Sequence, residues 1–480
     1  MIFSSVTFLF LFLPIVLMGS FITGRRCRNL LLFAASLLFY IWGEGGYILL
    51  LLSSIAISYI LGRKIEKCSG NRQKFLLALG VFCNLLPLFV FKYLHFTLAT
   101  IAPLFFSSGQ ASWQIENIHL PAGISFFTFQ AISYLIDVYR RVAPAEQSLL
   151  NCGLYISMFP QLIAGPIIRY HDIAKQLQHR VVRISEFAAG AERFIFGLAK
   201  KVLLADTLGM AADKIFNLPH SELNMGDAWL GAVYFSLQIY YDFSGYSDMA
   251  IGLGKMFGFK FPENFNYPYI SCSMREFWRR WHISLSTWLR DYLYFPLGGS
   301  RNGAPRTMVN LLIVFLLCGL WHGANWTFIV WGLWHGIFLI LERLILLQQR
   351  GSWCKYLGWI YTTLVVIIGW VLFRSTSLTA AWDFLQIMAG CHGLVDSTFL
   401  SFPTTDKLLF TELLAGLLLA FPVYPYIMKR VFHAANKWKP TLFTTSILSL
   451  GRICLISTIL YFTLISIAAQ AYHPFLYFQF

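Results

Sequence analysis

The sequence predicts an all-α polytopic membrane protein, and three observations carry that expectation. Of 480 residues, 57% are hydrophobic and 12% charged, where a soluble domain is about 25% charged. The apolar residues gather into runs long enough to cross or enter hydrocarbon, where a helix satisfies its own backbone hydrogen bonds. The basic residues, which bring the net charge to +15, fall in short connectors between those runs. That distribution is an orientation signal, and it argues against a nucleic-acid partner.

The first run, residues 2–23, has no basic residue before it and exceeds a signal-peptide core. Arg25, Arg26 and Arg28 follow directly, so it reads as a retained first span. Two runs, 30–42 and 47–62, separate the basic connectors "GRRCRN" and "GRKIEKCSGNRQK", which puts both connectors on one side. Residues 24–28 and 63–74 are therefore the expected cytoplasmic anchors, with the N-terminus starting outside.

Further runs lie at 75–96, 120–139, 150–166, 187–206, 228–251, 309–324, 326–347, 356–374, 408–429 and 446–469. Several fall short of the length a full crossing needs. The expectation is roughly 11–13 membrane helices, with some segments re-entrant or sunk in protein. The connectors leave no room for a soluble domain, so residues 1–480 form a single integral-membrane domain. Nine cysteines without a C-x-x-C pair make a disulfide framework improbable in composition and number.

The run at 150–166 ends at Gly165-Pro166, and no chemistry is assigned to His171 beyond it. Within 238–259, Asp242 and Asp248 sit beside tyrosines and small residues. Helix-end capping and close packing account for them, and the functional alternative is that one orients a histidine or lines a cavity. The connector 266–303 mixes aromatic and basic residues too densely for a span and carries too many apolar ones for a free loop. One or two amphipathic helices in the interface are expected there. Its Arg275, Arg279, Arg280 and Arg290 face only Glu276 and Asp291; they suit lipid phosphate or an anionic ligand arriving from the cytoplasm.

The stretch "LLCGLWHGANWTFIVWGLWHG", residues 316–336, buries His322, Asn325 and His335 in apolar sequence. Polar groups at membrane depth persist mainly where they line a cavity or pathway. In one unbroken helix His322 and His335 would stand about 20 Å apart on different faces. They could meet only if the helix broke near Gly323 or Gly332, whereas His282, from a separate element, could converge with His322. Cys318 and His322, spaced i to i+4, would also suit a thiolate–imidazole pair or two metal ligands. No further ligand lies nearby in sequence, so no metal is expected and Cys318 reads as packing.

The longer motifs resemble the membrane-bound O-acyltransferase (MBOAT) family, in its bacterial alginate O-acetyltransferase branch. They are "PAGISFFTFQAISYLIDVYR" at 121–140, "QLIAGPIIRY" at 161–170, "GLAKKVLLAD" at 197–206, "YYDFSGYSDMAIGLGKMFGF" at 240–259, "SMREFWRRWHISLSTWLRDYLYFPLGGSR" at 273–301, "GLWHGANWTFIVWGLWHG" at 319–336 and "PFLYFQF" at 474–480. The resemblance implies a helical ring or bundle pierced by a central tunnel, in the bacterial inner membrane. It places the family's catalytic histidine on His322 and its second recurrent histidine on His282. It also implies cytoplasmic acetyl-CoA as acyl donor, no bound cofactor, and periplasmic partner proteins that acetylate a polysaccharide.

On that reading His322 is a general base, or assists the hydroxyl through a water, at the tunnel's narrow centre, by direct transfer or through an acyl-histidine. His282 orients the donor or stabilises the oxyanion, with Asn325 as a further candidate for that task. Trp281, Trp321 and Trp326 form dry walls, and Asp248, Arg279 and Arg290 complete the substrate and tunnel candidates. Two other classes compete: a transporter with polar residues along its path, and a structural scaffold for an envelope complex.

Overall fold

The computed structural model describes residues 2–24, 27–105, 119–346, 353–391, 407–423, 426–427, 429–431 and 442–469. The closing motif at 474–480, Arg25 and Arg26, and part of the run at 408–429 lie outside the described residues. Every regular element among the described residues is helical.

Six stretches are long and apolar enough to cross a membrane: Arg28–Lys67, Gly70–Pro103, Gly303–His322, Trp326–Leu344, Lys355–Arg374 and Ser449–Ala469. Shorter apolar helices run over Phe8–Ile22, Ile124–Tyr139 and Leu409–Leu419. The first stretch joins two sequence runs: α1 (Arg28–Glu44) and α2 (Ile48–Lys67) meet at a 3₁₀ turn over Gly45–Tyr47. The next holds α3 (Gly70–Leu88) and α4 (Leu94–Phe105), joined by a π-helical turn at Phe89–Tyr93.

The centre is built from helices that are buried around most of their girth. α5 (Ile124–Tyr139) is one, and the long α8 (Met225–Met256) is another. Between them in sequence lie α6 (Tyr170–Gln178), on the surface, and α7 (Ile184–Ala199). α7 and α8 pack closely. A side chain at Gly197 would run into the Gly245 carbonyl and one at Gly245 into the Gly197 carbonyl. Small residues let backbones approach in this way where lipid offers no hydrophobic drive.

The basic connectors share one end of the bundle. Asn29 donates to Asn151 and to the Leu177 carbonyl, and Glu66 accepts from the Ala145 amide. Both connectors thus abut residues 145–178, and Arg140 and Arg169 tie the same region to Asp291.

The connector 266–303 folds as α9 (Met274–Arg280), α10 (Ile283–Leu289) and a π turn at Arg290–Tyr294. Met274, Phe277, Trp278, Trp281, His282, Leu285 and Trp288 are buried. Its apolar face is therefore spent against the bundle interior, while Arg275, Arg279 and Arg290 stay exposed.

Candidate active site

Helix α11 (Gly303–His322) ends at His322 because Gly323 turns extended, with φ −165° and ψ 150°. Asn325 then starts α12 (Trp326–Leu341): its Oδ1 accepts from the Thr327 amide at 3.0 Å. Its Nδ2 donates to the Thr376 carbonyl at 3.1 Å. Both ends of that amide are engaged in fixing the turn.

The two helices fold back as a hairpin. A Cβ on Gly319 would strike the Phe328 carbonyl, and one on Gly332 the Phe315 carbonyl. The break near Gly323 thus brings together the histidines that one straight helix would have separated. Trp331 lies between them, its ring centroid 5.0 Å from His322 and 5.0 Å from His335.

His282 arrives from the α9–α10 connection in a left-handed conformation, φ 42° and ψ 54°, which costs a β-substituted residue energy and collects at functional sites. Asn264 holds it there. Its backbone carbonyl accepts from Ile283, while its Oδ1 accepts from the Ser284 amide at 3.2 Å and the Ser284 hydroxyl at 2.9 Å, and lies 3.1 Å from His282 Nδ1. An amide N–H can only donate, so this oxygen is an acceptor and His282 Nδ1 carries the proton facing it. Nε2 of a neutral His282 is then an acceptor, buried and without a protein partner among the described residues.

Trp321 joins the two histidines. Its ring lies 5.9 Å from His282 and 4.8 Å from His322, and it stacks on Phe129 at 5.5 Å. His282, His335 and Lys92 are all electrostatic neighbours of His322. The indole N–H groups of Trp321 and Trp331 are buried donors without a hydrogen-bond partner among the described residues. Buried polar groups left unpaired in this way are costly and call for a reason.

Trp281 backs the cluster within an aromatic wall, 4.8 Å from Trp370 and 5.0 Å from Phe265. Trp326 lies apart: it is 48% exposed and meets Phe96 edge-on. Asp248 also lies elsewhere, paired with Arg193 at 2.8 Å and Lys200 at 2.6 Å beside a separate cleft that Glu263 and Tyr267 help line. Asp242 forms a buried pair with Lys201 at 2.8 Å.

Arg279 and Arg290 line a cavity of about 630 Å³ together with Arg275 and Arg343. Its inner wall includes Cys318, Phe315 and Trp278. Trp278 in turn meets Trp331 at 5.9 Å and His335 at 5.2 Å. Arg290 is bonded to Asp291, so the cavity opens at the end of the bundle that holds the basic connectors. Among the described residues, no group of three or more His, Cys, Asp or Glu could hold a metal ion.

Sequence reasoning missed Asn264, Ser284 and Lys92. Lys92 carried a usable signal, a cation inside an apolar run. Asn264 carried none, because nothing in its neighbourhood points to a histidine 18 residues on.

The family model for the membrane-bound O-acyltransferase family matches residues 138–381, a span that contains His282 and His322. Over the full length of both chains, the sequence is 42% identical to the "Probable alginate O-acetylase AlgI" of Azotobacter vinelandii. It is 37% identical to the peptidoglycan O-acetyltransferase of Helicobacter pylori, over 82% of this chain and 81% of that one. It is 28% identical to the teichoic acid D-alanyltransferase of Bacillus subtilis, over 65% of this chain and 80% of that one.

Proposed function

The chain belongs to the membrane-bound O-acyltransferase family, in its alginate O-acetylase branch, and from that premise we propose that it takes an acetyl group from cytoplasmic acetyl-CoA and passes it across the membrane. It is an O-acyltransferase and a multi-pass membrane protein. The final acceptor is an extracytoplasmic polysaccharide such as alginate, reached through periplasmic partner proteins, and the membrane is the bacterial inner membrane.

The observation that carries the reading is the arginine-rimmed cavity whose inner wall, through Trp278 and Trp331, abuts His322. Its volume suits a small-molecule ligand, for which pockets of about 300–1,000 Å³ are usual. Arg279, with Arg275 and Arg343, supplies fork-shaped donors for the donor's phosphates, and Arg290, whose Nε and Nη2 bond Asp291, adds positive charge at the rim. The thioester end then points inward along Trp278 toward the histidines.

His322 acts as general base. It takes the proton of an attacking hydroxyl as the oxygen–carbon bond forms, and the carbon–sulfur bond breaks as the tetrahedral intermediate collapses. The departing sulfur receives that proton back from the imidazolium and leaves as the thiol. Neutral His282, with Nδ1 committed to Asn264, presents Nε2 as an acceptor and so orients the acyl donor through one of the donor's own N–H or O–H groups, leaving the attacking hydroxyl's proton to His322. Oxyanion stabilisation falls to the indole N–H groups of Trp321 and Trp331, which have no hydrogen-bond partner among the described residues. Trp281 and Trp321 keep water from the thioester. Asn325 fixes the turn behind His322.

The test is transfer or release of label from acetyl-CoA by the purified protein. A folded protein that leaves acetyl-CoA untouched refutes this donor.

A further inference from the structure

Helix α11 stops at His322, which is buried inside the bundle, and its last carbonyls have no following turn to bond them. Such groups are expensive to leave unpaired where water is excluded. The Gly319 carbonyl accepts from the Gly323 amide at 3.2 Å. The next three find their partners on a distant helix. Tyr93 donates its hydroxyl to the Leu320 carbonyl at 2.9 Å. Lys92 Nζ donates to the Trp321 carbonyl at 2.6 Å and to the His322 carbonyl at 3.2 Å.

A second feature aims these donors. Pro87 lies inside α3 and removes one backbone N–H, and the chain continues through the π-helical turn Phe89–Tyr93 before α4 resumes. Proline disrupts helical hydrogen bonding, and π turns re-aim side chains, often at functional sites. Lys92 sits in that turn with only 9% of its surface exposed.

We propose that Lys92, assisted by Tyr93, is a positioning residue that holds the backbone of His322 where its imidazole can work. The clamp binds the carbonyl of His322 itself, so its loss frees the residue that carries the ring. This inference rests on the reading of His322 as the proton acceptor. It assigns Lys92 no contact with substrate.

The experiment compares Lys92→Met, which keeps volume and removes the donor, with wild type and His322→Ala in the labelled-acetyl assay, per folded molecule. Lys92→Met is expected to lower kcat by about 10²-fold, the scale of a misplaced reacting group, with KM for acetyl-CoA unchanged. Propylamine should restore part of the activity of Lys92→Ala, and tetramethylammonium, a cation without an N–H, should not. A wild-type kcat in Lys92→Met, a change confined to KM, or a Lys92→Ala variant deaf to propylamine overturns the clamp. Should Lys92→Met fail to fold, Tyr93→Phe decides, since it removes one hydroxyl and little volume: a several-fold fall in kcat supports the proposal and an unchanged kcat overturns it. If His322→Ala keeps turning over, the reading of His322 itself fails; if it is inert while Lys92→Met is normal, only the clamp falls.

Discussion

His282 Nδ1 lies 3.1 Å from Asn264 Oδ1, an oxygen that also accepts from the amide and hydroxyl of Ser284. One side-chain oxygen therefore sets the ring's tautomer, its orientation and the strained turn beneath it. Asn264→Ala is expected to lower kcat by roughly 10–100-fold, the scale known for losing the partner that orients a metal-ligating histidine. Steady-state kinetics on folded variant protein checks this, and a wild-type kcat would remove Asn264 from the site.

Gly319 and Gly332 set how closely the two arms of the hairpin approach, and the hairpin alone brings His335 to the His322 side. Gly332→Val has to displace the Phe315 backbone, and overpacking of this kind costs about 1–3 kcal/mol. The expected outcome is a lower Tm with activity lost. Gly46→Ala, where a Cβ meets open space, should change neither.

The arginine rim yields a kinetic signature. Arg279→Gln and Arg343→Gln should each raise KM for acetyl-CoA about tenfold, the worth of a hydrogen bond to a charged group. Activity at saturating donor should hold, and the salt dependence of kcat/KM should flatten. A fall in kcat at unchanged KM would detach the cavity from donor binding.

His171 knots α6 to α5: its Nδ1 lies 2.8 Å from Asp137, which also accepts from the Tyr292 hydroxyl at 2.6 Å. The hydrogen bond to Asp137 raises the pKa of His171 above its ordinary 6.5. A raised folded-state pKa stabilises fully below the unfolded value, and the gain is lost as pH climbs through the folded one. Wild-type Tm should therefore fall as pH rises from about 6.5 through the raised value, and His171→Gln should lose that slope. A slope that survives the substitution would assign it to another group.

Much of this fold was legible because hydrophobicity is local. Runs and basic connectors marked the helices and the shared end, and the Gly323 break was one of two ways for His322 and His335 to meet. The connector 266–303 was harder, since an apolar face reads alike whether lipid or protein covers it. What escaped were long-range partnerships. Lys92 reaches a carbonyl 229 residues away, and Asp248, for which capping and close packing stood against orienting a histidine or lining a cavity, is held by Arg193 and Lys200. Trp326, grouped with Trp321 by adjacency in sequence, turns outward because the extended residues between the hairpin arms reset the helical phase.

The most direct measurement is transfer of label from acetyl-CoA by purified wild type and His322→Ala side by side, with fold checked by thermal unfolding. The account expects wild type to turn over and the alanine variant to keep its fold while losing activity by about 10²–10⁴-fold, the worth of a positioned general base. Equal turnover in the two proteins would contradict it and return His322 to a structural role.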